Sequence, residues 1–94
     1  MAVVAAGVLA FAQAAGAASP APPSGALSCS GCHSANPKVE TRVPRIAGRR
    51  PDDIVAAMQA FRSGQKPATV MDRIAKGFSE EEIRAIADWL GAQQ

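Results

Sequence analysis

Both cysteines and the single histidine of this 94-residue chain fall within five consecutive positions, Cys29-Ser30-Gly31-Cys32-His33. No other stretch gathers nucleophilic or metal-binding side chains in this way. On a helical turn, residues three and four apart share a face, so this spacing brings both thiols and the imidazole to one side of the backbone. The remaining residues offer little else around which to build a core. There are three Phe, one Trp and no Tyr. A domain this small has trouble burying enough apolar surface and usually depends on a disulfide, a metal or a cofactor.

The first residues do not belong to that domain. Residues 2–12 are all apolar or glycine, and Ala15-Gly16-Ala17 then forms an A-x-A-like cleavage site. Residues 1–18 are therefore expected to be a secretory signal peptide, residues 19–24 (S-P-A-P-P-S) a linker, and residues 25–94 one domain. The basic residue that usually precedes such an apolar run is missing here. An uncleaved anchor fits less well, because the run is Ala-rich and broken by Gln13. The expected location is the periplasm, with no stable membrane association once the leader is removed. Export places the thiols in an oxidising compartment, where a Cys pair is either bridged or consumed by a ligand.

The net charge of +2 is too small to argue for nucleic acid. Its distribution says more. Every Lys and Arg lies at or beyond Lys38, and Lys38, Arg42, Arg45, Arg49 and Arg50 face only Glu40 in the same stretch. That stretch reads either as a solvated loop or as a basic surface for carboxylates of a ligand or partner.

Along the domain, the pattern is helical throughout and no strand alternation occurs. Ser24 is a candidate cap for a short helix leading into the Cys motif. Residues 34–48 read as loop, because Pro37 and Pro44 interrupt any helix. Pro44 lies eleven residues after His33, and its carbonyl is a candidate acceptor for the second ring nitrogen of His33. A proline in a loop is equally well explained as a turn. Pro51 to Ser63 is the first long helix, with Pro51 at N1, Asp52 and Asp53 in the first turn, and Gly64 as the stop. Ile54, Val55, Met58 and Phe61 form its apolar stripe, which assigns Met58 to the core. Residues 65–76 read as a connector with a helical turn near its end, and Met71 sits in its loop after Pro67. The last helix has the strongest start signal, a capping box between Ser79 and Glu82. Its buried stripe is Ile83, Ile86, Ala87 and Leu90, with Trp89 beside it.

Four chemistries compete for Cys29, Cys32 and His33. Structural zinc needs four ligands, and the chain supplies one Cys pair and one adjoining His. A thioredoxin-like redox pair expects a βαβ setting, which the pattern lacks. A plain disulfide remains open. The fourth is covalent attachment of haem c, for which C-x-x-C-H is the signal. In that case the thiols form thioethers with the vinyl groups and the adjacent imidazole binds iron. An iron that only exchanges electrons is best held by six ligands, and a thioether raises its potential relative to a second nitrogen. With Met58 assigned to a helix stripe, Met71 is the candidate sixth ligand.

The order of these features resembles the class I c-type cytochromes: attachment motif, Pro-x-x-x-Gly loop at Pro44 to Gly48, middle helix, Met loop, terminal helix. The runs Lys66-Pro67-Ala68-Thr69-Val70-Met71 and Ile74-Ala75-Lys76-Gly77-Phe78-Ser79-Glu80-Glu81-Glu82-Ile83 are similar to the Met-ligand region of the cytochrome subunits of flavocytochrome c sulfide dehydrogenases and of related dihaem cytochromes. The likeness extends over roughly Cys29 to Leu90. It implies an all-α, small class I cytochrome c fold around one covalent haem. It also implies thioethers at Cys29 and Cys32, axial ligation by His33 and Met71, a Pro44 carbonyl receiving the His33 ring N–H, and Arg45 and Ile46 along the haem wall. Three departures stand out. Pro22-Pro23 shortens the first helix, Ser34 to Pro37 replaces the expected Gly-rich turn, and only one attachment motif is present.

No catalytic constellation is visible beyond this motif. The expected role is therefore single-electron transfer rather than catalysis. The resemblance implies a sulfide-oxidising flavoprotein as redox partner. The alternative is a free-standing carrier serving an oxidase or reaction centre.

Overall fold

A computed structural model describes residues 1–8 and 21–93. The expected cleavage site at Ala15 to Ala17 and the first two residues of the expected linker lie outside the described residues. Residues 1–8 carry no regular structure and are exposed. Four helices follow: α1 (Ala26–Cys32), α2 (Pro51–Ser63), α3 (Met71–Lys76) and α4 (Glu80–Gly91). Among the described residues there is no strand, and no helix is long and apolar enough to cross a membrane. The all-α architecture is that expected of a small cytochrome c.

The helix ends follow from local chemistry. Pro51 opens α2, Asp52 and Asp53 lie in its first turn, and Gly64 closes it at a positive φ of 79°. Ser79 Oγ accepts the Glu82 N–H at 3.1 Å while Glu82 Oε1 accepts the Ser79 N–H at 3.0 Å, so the capping box of α4 is complete. Two starts differ from expectation. Ser24 does not cap α1; Gly25 holds that position at φ 86°, and the Ala26 N–H reaches the Pro23 carbonyl at 3.0 Å. Met71 is not in a loop but is the first residue of α3. The turn begins when Arg73 and Ile74 N–H groups bond to Val70 O at 3.0 and 3.2 Å. Val70 brings no side-chain cap, so the sequence carries no start signal there.

The core is small. Ala26, Ile54, Ile86, Ala87 and Leu90 form one buried cluster, and Met58, Phe78 and Trp89 pack against it half-buried. Despite its shortness, α1 still packs on α4. A Cβ at Gly25 would lie 2.6 Å from the Phe78 ring, which shows how closely the two segments approach. At the other end, a Cβ at Gly91 would meet Pro51 Cγ at 2.7 Å, so the end of α4 rests on the start of α2. Arg84 links α4 back to α2 through Asp52 at 2.9 Å, an exposed pair of small energetic weight.

The capping box generates a test. Ser79→Ala should cost about 1 kcal/mol, read as a fall of about 4–8 °C in melting temperature for a domain of this size. The Ser79 backbone N–H, and then its hydroxyl, hold the Glu82 carboxyl below its ordinary value. A carboxyl depressed in the folded state contributes stability above its unfolded pKa and loses it as pH falls through the folded one. Glu82→Gln should therefore melt with a shallower acid dependence than the parent. Parallel curves for the two would show that the Glu82 bonds do not contribute.

Candidate functional site

The last turn of α1 carries Cys29 and Cys32, and His33 follows at the cap position, where its N–H still reaches Cys29 O at 2.8 Å. Both cysteines are unbridged thiols. Cys29 is half-buried, with its Sγ 3.8 Å from Gly25 O, and burial pushes its thiol pKa up, with the nearby Cys32 adding a smaller push. Cys32 is exposed.

The ring of His33 is held from behind. Its Nδ1 lies 2.6 Å from Pro44 O, eleven residues downstream. With a carbonyl as acceptor, Nδ1 is the donor, which in a neutral ring leaves Nε2 with the lone pair that a ligand imidazole needs. The loop that delivers this carbonyl is built from small polar turns. Ser34 Oγ accepts the Asn36 N–H at 3.2 Å, Asn36 Oδ1 the Lys38 N–H at 3.0 Å, and Thr41 Oγ1 the Val43 N–H at 3.1 Å. Gly48 N–H then ties the loop to Leu90 O at 2.9 Å.

Cys29, Cys32, His33, Pro44, Ile46 and Met71 all line one cleft of about 790 Å³. Its volume lies within the range of small-molecule sites. Its wall is largely apolar, built from Met58 and Phe61 of α2, Met71 and Ile74 of α3, Phe78 and the segment 67–70. Three placements differ from expectation. Arg45 is not in the wall, whereas Arg42, two residues before Pro44, is its one charged member. Met58 packs against the core cluster as expected, but it is half-buried and also lines the same cleft as Met71. Phe61, on the same stripe, also faces the cleft. The stripe of α2 thus serves two purposes. Ile54, buried in the core cluster, and Met58, packed against it, both also line the cleft, as does Phe61 one turn further on. A helical stripe in sequence does not distinguish the two.

The residues present fit a large flat apolar group with one metal. Two thiols and an oriented imidazole lie on the α1 side, and two thioethers come from other helices. Among the described residues, no three His, Cys, Asp or Glu side chains gather as a metal-holding group, so structural zinc gains nothing from the fold.

The helical fold, with no strand among the described residues, is that expected of a small all-α cytochrome c. The comparison with known proteins narrows this. The chain is similar to the cytochrome subunit of sulfide dehydrogenase from Chlorobaculum tepidum, 42% identical over 65 residues. The match spans 69% of this chain but 59% of the relative's own length. No family model matches the chain. The resemblance to that cytochrome subunit, read first from the Met-region runs, is therefore shown.

The close approach of α1 to Phe78 supplies a test of the cleft wall. Gly25→Ala places a Cβ against the Phe78 ring at a backbone angle that L-residues rarely adopt. It should destabilise by more than about 1 kcal/mol. Thermal melting checks this, and an undiminished melting temperature would mean that the start of α1 does not set the Phe78 position.

Proposed function

We propose that this chain carries single electrons in the periplasm through one haem, attached covalently at Cys29 and Cys32 and ligated by His33 and Met71. The observation that carries the reading is the 2.6 Å contact of His33 Nδ1 with Pro44 O, on a cleft that also holds both thiols and Met71. A surface histidine has no need of a fixed tautomer; a ligand does.

When bound, the haem iron supplies reversible one-electron exchange. The chain's residues do the rest. Cys29 and Cys32 would hold the haem through thioether links to its vinyl groups. Pro44 O keeps the His33 proton on Nδ1. Ile46, Phe61 and Phe78 keep water from the ring faces, which lowers the reorganisation that accompanies a change of charge. Met71 offers a soft thioether, which favours the reduced ion. Arg42 is placed to face a carboxylate at the cleft wall.

The donor we propose is a sulfide-oxidising flavoprotein, in keeping with the name of the Chlorobaculum tepidum relative. The protein would then be the cytochrome subunit of an oxidoreductase rather than a catalyst itself. Co-purification with a flavin-containing subunit tests this directly, whereas isolation of a haem protein without flavin favours a free-standing carrier.

The ligand assignment predicts a covalent haem that survives denaturation in intact mass, and a weak sulfur-to-iron charge-transfer band in the ferric spectrum. Met71→Ala should abolish that band and Met58→Ala should retain it. The opposite pattern would transfer the ligand role to Met58. His33→Ala should lose cooperative melting as well as redox activity, because the small core gains much of its seating from iron ligation. A His33→Ala protein that melts like the parent would contradict that dependence.

A further inference from the structure

Helix α3 delivers Met71 to the cleft, yet it is the least self-sufficient element of the fold. It has six residues, and helices this short are not stable alone. Its N-cap residue, Val70, makes no side-chain bond. Asp72 Oδ1, buried in its first turn, has no hydrogen-bond partner among the described residues. Polar support comes instead at the far end. Ala75 is fully buried, and Arg62 Nη2 donates to its carbonyl at 3.2 Å. Backbone donors near that carbonyl come from Gly77 and Phe78, the latter at 3.4 Å. Arg62 is half-buried in the last turn of α2, directly after Phe61 of the cleft wall. A cation at a helix C-terminus is also favoured by the aligned peptide dipoles. Arginine suits the place because its planar fork loses little freedom on bonding.

We propose that Arg62 is a positioning residue for the Met71 thioether, fixing α3 through the Ala75 carbonyl and so setting how firmly Met71 holds the sixth position. The inference rests on Met71 as axial ligand. Without Arg62, α3 keeps its buried alanine but loses this side-chain hydrogen bond to α2, and Met71 yields more readily to a competing ligand.

The test uses the haem-loaded protein, the Arg62→Met and Arg62→Lys variants, and Arg84→Met as a control. Arg84 also carries one positive charge but ties α2 to α4 through Asp52, away from α3. Ferric protein is titrated with imidazole, which competes for the sixth position, while the charge-transfer band is followed. Arg62→Met should bind imidazole about tenfold or more tightly than the parent, the size expected for losing a hydrogen bond from a charged donor. Arg62→Lys should fall between the two, and Arg84→Met should match the parent. Unchanged affinity in the Arg62 variants overturns the proposal, as do equal gains in Arg62→Met and Arg84→Met, which would indicate general loosening. If Arg62→Met does not accumulate folded, Arg62→Lys decides alone, and parental affinity in it counts against the role. If the parent itself shows no charge-transfer band, the Met71 reading has failed, and this proposal falls with it. A parental band with unaffected Arg62 variants is the failure of this proposal only.

Discussion

A fold of this size has to hold four helices together with very little core. The buried residues among those described are Ala26, Ile54, Ala75, Ile83, Ile86, Ala87 and Leu90, and no large side chain is fully buried. Three of the seven are alanines, which bring backbones close but bury little area. The larger apolar side chains, Met58, Phe61, Met71 and Phe78, are half-buried along the cleft wall instead. Apolar surface that would complete the core of a self-sufficient domain is thus directed at the cleft. The same residues that stabilise the fold become the lining of the site, and stability and function cannot be separated in this part of the molecule.

That arrangement places a strong demand on the long loop between α1 and α2. It has no helix or strand of its own, yet it delivers the Pro44 carbonyl to His33 and Ile46 to the cleft. Three side-chain-to-backbone turns shape its first part, and the Gly48 bond to Leu90 fixes its end. Serine, asparagine and threonine do here what a Gly-rich turn does elsewhere, by offering the backbone short-range acceptors. The departure at Ser34 to Pro37 from the Gly-rich turn of the cytochromes that the sequence resembles therefore changes how the loop is made, while the His33–Pro44 contact is present.

Much of this was legible in the sequence where one strong local rule acts. The ends of α2 and the start of α4 follow from Pro51, Gly64 and the Ser79–Glu82 pair, and the buried stripe of α4 from its period. The six expected site residues line one cleft; the five-residue motif and the downstream methionine left distinct marks in the sequence, whereas Pro44 read equally well as a turn and Ile46 came only from the resemblance. What stayed hidden depends on tertiary contact. Gly25 displaces Ser24 as the cap because α1 must lie against Phe78, which no local pattern announces. Met71 begins a helix without a capping residue, since α3 is held by burial of Ala75 and by the Arg62 bond to its carbonyl rather than by its start. Met58 looks like core because a stripe that faces a cleft and one that faces a helix have the same period. Arg42 and Arg45 are equivalent by sequence, and only the course of the loop decides which lines the wall.

The two sides of the cleft are consequently built on different principles. On the α1 side, Cys29 and Cys32 lie in the last turn of α1 with His33 at its cap, and His33 has a second tie through Pro44. The placement of these side chains is set chiefly by the local geometry of that segment, with the Pro44 loop anchored in turn at Leu90 of α4. On the other side, Met71 depends on α3, and α3 depends on α2. A ligand position defended by packing can respond to the state of that packing, whereas one defended by covalent spacing cannot. Conformational change is therefore expected to alter the Met71 side of the cleft more than the His33 side. This asymmetry follows from chain connectivity: a five-residue motif encodes one half of the site, and the other half exists only once the helices have packed.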